Sequence, residues 1–427
     1  MKPARAYAVF HLSKLTPRLE ESIYLWISIG IVYSLLLWPL LNSLCIITMF
    51  AFWLLFSNKQ LPTNNIGRIL LFVFPLLFLV AVAGMLNTSN MNEGLFRLQQ
   101  KIPLLVFPLV FGTTTIITQR FLQKTLTHFV LATCVACGTS LVFNSIKYIS
   151  TGDTELFSMP KLFLYRDGYP YIVGACCLTA IAICFSRLKT LKPAFVFLAS
   201  SAVLLLSIYI LLLSVRVIIV CWLIVFAINI FWLIKSPLTR FIISIILLAT
   251  VITSIMIIPA LNRQWSELTK INIDRIPLDR DASLGRSWGG GAIRLAIWES
   301  TENLRNRHWL TGVGTGDVQD SLQQAYRDRQ FYFASEYNRY NSHNQFLQML
   351  IGNGIAGVLI LAACIVLPVY LMLRGPSDKV YITVILLFTA LCVTEVILDI
   401  NKGIVWYSYL NSIFAFTIFK SHRKSTQ

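Results

Sequence analysis

The chain has 427 residues, of which 56% are hydrophobic and 13% are charged, with a formal net charge of +17. Soluble domains carry about 25% charged residues, so this composition and a mean hydropathy of +0.69 exclude an ordinary soluble protein. The basic residues lie in short clusters between apolar runs and are not interleaved with aromatic residues, which argues against a nucleic-acid-binding protein.

Apolar runs of about 20 residues, the length that crosses a bilayer, recur along the chain and predict twelve membrane spans. In chain order they lie near 22–39, 41–57, 68–86, 102–118, 123–146, 170–186, 194–213, 217–234, 240–259, 344–373, 379–398 and 403–420. Of the 36 Lys and Arg residues, eighteen fall on the side of the two termini, seven in short loops on the other side and eleven in the long segment 260–342. Because cytoplasmic loops retain the excess of basic residues, both termini are predicted to lie inside the cell.

These observations predict an all-α polytopic membrane protein with about 12 transmembrane helices. Residues 1–259 are expected to hold spans one to nine, residues 260–342 one large outer loop, and residues 343–427 the last three spans and a cytoplasmic tail. The loop is too rich in Trp, Tyr, Phe and Leu for a disordered segment. Its pattern predicts short helices, one over 294–305 and one over 317–329.

Arg216 is the only charged residue between Lys192 and Lys235, and it lies between two apolar runs. An arginine at the turn of a helical hairpin extends towards the membrane surface, and that is one interpretation. The other is an anion site at membrane depth, because a charge there is costly and the planar guanidinium group suits phosphate oxygens.

Further candidates lie in and beside the long outer segment. Arg294 lies near the start of a predicted helix with Trp298 on the same face, where a surface Arg–Trp stack competes with a ligand contact. Arg286 precedes the glycine triplet 289–291, and a flexible loop there would let it cover a ligand. His343 lies at the start of the tenth span, where the positive end of the helix opposes protonation of the imidazole. A neutral imidazole accepts a proton from an attacking hydroxyl group, although a lone histidine at a helix start often only caps or stacks.

Other polar features have simpler interpretations. Arg97 and Lys101 lie one helical turn apart and suit anchoring at the membrane interface. Asp399 lies beside Glu395 in a small charged group at the outer end of span eleven. The segment Gly312–Gly316 resembles a nucleotide loop, but no strand precedes it, so a turn is favoured. Since no His or Cys cluster has zinc spacing and no Asp-rich element appears, neither a metal nor another cofactor is predicted.

Four short motifs occur in order along the second half of the chain: Arg294-x-x-x-Trp298, Gly312-Val313-Gly314, His343-Asn344-x-x-Leu347 and Gly352-x-Gly354-x-x-Gly357. Their order, together with the predicted spans and the one large loop before the His-Asn pair, resembles the O-antigen ligase and polymerase superfamily over most of the chain. The resemblance implies a GT-C-like glycosyltransferase of the inner membrane whose active site faces the periplasm. It also implies an undecaprenyl-pyrophosphate-linked glycan as the donor.

By the same resemblance, Arg216 matches the membrane-edge arginine of the family, Arg294 the arginine of the loop and His343 the essential histidine. The further candidates for contacts with the pyrophosphate or with the site are all charged residues of outer segments: Arg286, Arg166, Arg97 and Asp399.

The resemblance leaves two activities open within one class. Ligases transfer the polysaccharide to a terminal sugar of lipid A–core, whereas polymerases extend one lipid-linked chain with another, and the overall resemblance favours a ligase. The expected reaction is an inverting, metal-independent displacement in which arginines stabilise the departing pyrophosphate and His343 acts as the base. A transporter or flippase of an anionic lipid-linked substrate is the alternative from another class. It predicts charges along several spans, whereas these spans are nearly free of charge.

Overall fold

The computed structural model describes residues 15–115, 117–159, 161–163, 169–258, 261–262, 265 and 290–420. In chain order, its α-helices are α1 (Pro17–Leu37), α2 (Pro39–Phe56), α3 (Asn65–Val73), α4 (Leu76–Gly84), α5 (Met91–Lys101), α6 (Pro103–Thr113), α7 (Gln119–Thr151), α8 (Pro170–Arg187), α9 (Pro193–Leu213), α10 (Arg216–Leu233), α11 (Pro237–Ile257), α12 (Gly290–Ser300), α13 (Glu302–His308), α14 (Val318–Asp328), α15 (Gln345–Arg374), α16 (Lys379–Thr394) and α17 (Asn401–Lys420).

The predicted all-α polytopic membrane fold is confirmed. Within the described ranges, nine helical segments are long and apolar enough to cross a membrane: α1, α2, α3 with α4, α7, α8, α9, α10, α11 and α15. The other three predicted spans correspond to α6, α16 and α17. Helices α6 and α16 are short, with 11 and 16 residues, and α17 carries polar residues that the interior of the bundle accommodates.

Helix α17 lies at the centre of the bundle, since every residue from Gly403 to Phe419 is buried. It packs against α3, α6, α7, α8 and α16. A polar group in a membrane has to find its partner inside the protein, and Asn411 of α17 accepts a hydrogen bond of 2.7 Å from the Tyr381 hydroxyl of α16. Helix α11 is the opposite case, because Val251 is its one buried residue.

Helix α15 is interrupted at Gly354, whose φ of +63° and ψ of −161° favour glycine. The glycine-rich segment 309–316 fills the interruption, and the Ile355 N–H donates to the Trp309 carbonyl at 2.8 Å. A Cβ atom on Gly354 would collide with the carbonyl of Leu310. The glycines of this segment therefore serve close packing of backbone against backbone.

Helices α12 to α14 pack with the start of α15 around a small second core that includes Ile297, Leu322, Phe331 and Ile351. The predicted helix over 294–305 is divided at Thr301, between α12 and α13. The starts of α8, α10 and α15 and the end of α16 meet beside this core. We call this region the site end of the bundle.

Candidate active site

A cavity of about 450 Å³ opens at the site end of the bundle. Three of the candidates from the sequence, Arg216, Arg294 and His343, line it together. Among the described residues, the lining is Met159, Tyr171, Ser214, Val215, Arg216, Val217, Ile293, Arg294, Tyr340, His343, Thr394 and Glu395. The fold therefore collects residues from four distant parts of the chain in one place.

Glu395 joins these candidates, and its side chain is only 2% exposed. Its carboxylate accepts hydrogen bonds from Arg294 Nη2 at 2.8 Å, from His343 Nδ1 at 3.1 Å and from the Tyr169 hydroxyl at 2.7 Å. Arg294 also donates to the Tyr171 hydroxyl at 3.1 Å. The carboxylate is the central acceptor of the site, and it links the arginine of α12 to the histidine before α15.

Glu395 lies beyond the last residue of α16 and is ionised at neutral pH. Burial alone would raise its pKa, but the hydrogen bonds from His343 and Tyr169 and the positive charge of Arg294 outweigh burial and hold the pKa below its ordinary value. Counted by formal charge, the described residues of the lining include two arginines and one glutamate, so this part of the cavity is net positive. Such a cavity suits an anionic ligand.

The place of Glu395 in the cavity was not predicted from the sequence, because the predicted eleventh span extends to residue 398. Helix α16 ends at Thr394, since Glu395 takes an extended backbone with φ of −151° and its N–H caps the Leu391 carbonyl. This early end turns the carboxylate into the cavity. The available signal was a lone acidic residue at the end of an uncharged run, which is costly in a membrane and usually functional.

His343 is held in one orientation by its own backbone and by its neighbours. Its φ of +45° is uncommon for a residue other than glycine, and its N–H donates to Asn341 Oδ1 at 2.9 Å. Its ring packs against Tyr340 with 5.4 Å between centroids. Because an ionised carboxylate only accepts hydrogen bonds, Nδ1 donates to Glu395, and in a neutral imidazole Nε2 is then the nitrogen with the lone pair.

Arg216 begins α10 after a tight turn that leaves α9. Ser214 in this turn adopts the left-handed conformation with φ of +57°, and Val215 is extended. The whole turn, Ser214–Val217, lines the cavity with Arg294 and His343. Of the two interpretations of Arg216, this position favours the anion site over simple extension to the membrane surface.

Arg97 and Asp399 lie outside the cavity, in a second polar cluster with Lys101 and Gln348. Arg97 donates to Glu93 at 2.7 Å, and Lys101 forms an ion pair with Asp399. Gln348 joins this cluster to the turn 341–344, which contains His343 and which we call the histidine turn. Its Nε2 donates to Asp399 at 2.8 Å. Its Oε1 accepts a hydrogen bond of 2.7 Å from the Ser342 hydroxyl. These residues therefore lie next to the site but do not line its cavity.

Arg166 and Arg286, the two other candidates from the sequence, lie outside the described residues. Across the ranges that the structure does describe, no group of three or more His, Cys, Asp or Glu side chains is placed to hold a metal ion.

Comparison with known proteins shows a family similarity over part of the chain. Residues 201–362 match the family model described as O-antigen ligase. This range contains Arg216, Arg294 and His343 and ends before Glu395. No curated protein matches the chain significantly. The chain is thus a multi-pass membrane protein that is similar, over residues 201–362, to the O-antigen ligase family.

Proposed function

We propose that the protein is an O-antigen ligase, which transfers O-antigen polysaccharide from undecaprenyl pyrophosphate to a terminal sugar of lipid A–core. The observation that carries this proposal is the contact of 3.1 Å between His343 and Glu395, in the cavity that Arg216 and Arg294 also line. One cavity thus offers a base and positive charge for a diphosphate. The family match supports glycosyltransferase-like chemistry in O-antigen processing.

Arg216 and Arg294 bind the pyrophosphate of the donor. The pyrophosphate departs with additional negative charge, and guanidinium groups stabilise that charge through charge-assisted, bidentate hydrogen bonds. Arg294 has a second task, because it also donates to Glu395 at 2.8 Å and keeps this carboxylate in place. Arg286 and Arg166 are further candidates for contacts with the donor. Because arginines supply the positive charge, the proposed reaction requires no metal ion.

His343 is the general base. Its Nε2 accepts the proton of the acceptor hydroxyl while the hydroxyl oxygen attacks the anomeric carbon of the donor. The bond between the anomeric carbon and the pyrophosphate oxygen breaks, and its electron pair leaves with the pyrophosphate. A single displacement of this kind inverts the anomeric configuration. Glu395 holds the Nδ1–H tautomer of His343 and stabilises the imidazolium that forms.

The proposed orientation places the site end of the bundle in the periplasm and both termini in the cytoplasm of a cell with an inner membrane. Two observations support it. The excess of basic residues lies on the side of the termini, and the donor lipid needs a site at membrane level, where Arg216 starts α10.

Deletion of the gene and analysis of the lipopolysaccharide and of the lipid-linked pool test the proposal. Loss of a ligase leaves long polymer on undecaprenyl pyrophosphate and bare lipid A–core. Loss of a polymerase leaves core that carries a single repeat, and loss of a flippase leaves repeats inside the cell; either result would overturn the proposal. Complementation with His343→Ala is expected to fail. His308→Ala, which changes a histidine of the outer segment that does not line the cavity, is the control and is expected to restore the polymer.

A further inference from the structure

Two large apolar side chains lie at the surface of the outer segment, directly after α13. Trp309 is 54% exposed and Leu310 is 59% exposed. The end of α4 packs against the same segment, since the Thr315 N–H donates to the Gly84 carbonyl at 3.2 Å. Leu86, two residues beyond Gly84, is 89% exposed. Large apolar side chains that are exposed next to each other mark an interaction surface.

Helix α15 shows at which level of the bundle these side chains lie. The Ile355 N–H donates to the Trp309 carbonyl at 2.8 Å, so Trp309 lies beside the first turn of α15 after its interruption. From Ile355 to Arg374, the nineteen helical steps of α15 cover about 28 Å, close to the thickness of the hydrocarbon core of a bilayer, about 30 Å. Arg374, which is exposed, then lies at one membrane surface. Trp309 and Leu310 therefore lie at the other surface.

The face of α15 that contacts lipid leads to the same place. The large exposed apolar residues of α15 after the interruption are Leu359, Val366, Tyr370 and Leu373. They are three, four or seven residues apart and therefore share one face of the helix. Ile355 precedes Leu359 by four residues, so it begins this face, and Trp309 is bonded to its N–H. Trp309 and Leu310 thus continue the lipid-facing surface of α15 at its outer end.

Two arginines in the last turn of α13 precede the apolar pair. Arg307 is exposed, and Arg305 is partly buried, with an Nε atom that has no hydrogen-bond partner among the described residues. No described carboxylate lies within 4.0 Å of either guanidinium group. Along the chain, arginine, tryptophan and leucine follow in the order of phosphate groups, interface and hydrocarbon on entry into a bilayer. This arrangement fits the surface of a membrane that contains anionic lipid.

We infer that an interfacial anchor in the outer segment binds anionic phospholipid in the membrane leaflet at the site end of the bundle. The anchor consists of Arg305, Arg307, Trp309 and Leu310. The apolar pair enters the boundary of the hydrocarbon core, and the two guanidinium groups bind lipid phosphates through charge-assisted hydrogen bonds. Because α12 and α13 share the second core, the anchor fixes the height of the outer segment relative to the membrane. This contact with lipid is independent of the proposed reaction.

A photoreactive side chain in the anchor tests this contact. A benzophenone amino acid replaces Leu310 in the full-length protein, which is reconstituted in nanodiscs of phosphatidylglycerol and phosphatidylcholine. Irradiation is expected to attach phospholipid at this position, as measured by mass spectrometry. The same amino acid at Gln324 is the control and is expected to attach no lipid, because Gln324 is exposed on α14 and donates to Asp328 at 2.7 Å. Equal attachment at both positions, no attachment at 310, or a crosslink to a second copy of the chain would overturn the inference.

The arginines are tested with the same photoreactive group at position 310. With equal amounts of both lipids, phosphatidylglycerol is expected to be attached in preference to phosphatidylcholine, because a basic residue at an anionic membrane surface raises binding about fivefold. Arg307→Gln, at an exposed position, is expected to lower this preference about fivefold, and Arg305→Gln combined with it is expected to lower it further. Arg327→Gln is the control and is expected to retain the preference, since Arg327 donates to Gln324 on α14 at 2.9 Å. The assignment to anionic phospholipid would be wrong if Arg307→Gln kept the full preference, if no preference existed without this change, or if lipid A were attached more strongly than phosphatidylglycerol.

Discussion

Replacement of Glu395 by Gln removes one charge from the buried centre of the site and changes little else in shape. In the wild type the carboxylate accepts hydrogen bonds from Arg294, His343 and Tyr169. The amide of Gln offers one carbonyl oxygen with two lone pairs, so at most two of the three donors keep a partner. The NH₂ group of the amide then faces the third donor and cannot accept from it. Either Arg294 stays buried with its charge uncompensated, or the imidazole of His343 changes its tautomer.

The size of the effect follows from burial. Breaking a buried ion pair costs about 3–5 kcal/mol; because the Arg294 side chain is 23% exposed, we expect the lower end, about 3 kcal/mol, in the free energy of unfolding. Loss of the correct histidine tautomer in catalytic triads lowers kcat by roughly 10⁴-fold, and we expect a decrease on the order of 10³- to 10⁴-fold here.

The assay for Glu395→Gln measures kcat and KM for transfer by the reconstituted protein, with thermal unfolding of the same preparation. Glu302→Gln is the matched control, because Glu302 is 54% exposed and lies 4.0 Å from Arg329. An exposed pair of this kind contributes about 0–1 kcal/mol, so neither stability nor rate should change much. A folded Glu395→Gln protein with the kcat of the wild type would refute the role of Glu395 in orienting His343.

Arg216→Lys keeps the charge but loses the planar fork, so kcat/KM for the lipid-linked donor is expected to fall about 10- to 100-fold; wild-type kinetics would exclude a contact with pyrophosphate. Gln348→Ala breaks the link between the second polar cluster and the histidine turn and is expected to lower kcat with little change in KM, whereas an effect on KM alone would contradict a positioning role. Gly354→Ala places a side chain in left-handed backbone against a carbonyl and is expected to lower the free energy of unfolding by about 2 kcal/mol or more. In the same thermal unfolding assay Gly138→Ala, with open space around its Cβ position, is expected to raise it by about 0.5–1 kcal/mol. Because the folded-state pKa of Glu395 is lowered, its ionised carboxylate stabilises the fold at a pH above the ordinary Glu pKa, and this contribution is lost as the pH falls through the lowered pKa. The melting temperatures of wild type and Glu395→Gln should therefore differ at neutral pH and converge in acid, and a constant difference would contradict this account.

The membrane fold and part of the site could be predicted because both rest on local signals. Long apolar runs predict helices, and a single charge within them, Arg216, is visible without any knowledge of packing. Arg97 and Asp399 were grouped with the site because all outer charges look equivalent along the sequence. Which loops meet depends on helix packing, and this packing separates both residues from His343. The role of Glu395 depended on the exact end of α16, a boundary that hydropathy alone places four residues too late.

The interruption of α15 determines which parts of the protein can be exchanged or removed separately. The backbone groups freed at Gly354 find their partners in the segment 309–316. This segment connects α13 to α14 and precedes α15 by about thirty residues. Neither piece can satisfy its backbone without the other, so the outer segment is not a detachable module. A chimaera that exchanges this segment between relatives would have to carry the first three turns of α15 with it. During synthesis, α15 can reach its final form only once the segment 309–316 lies against its interruption.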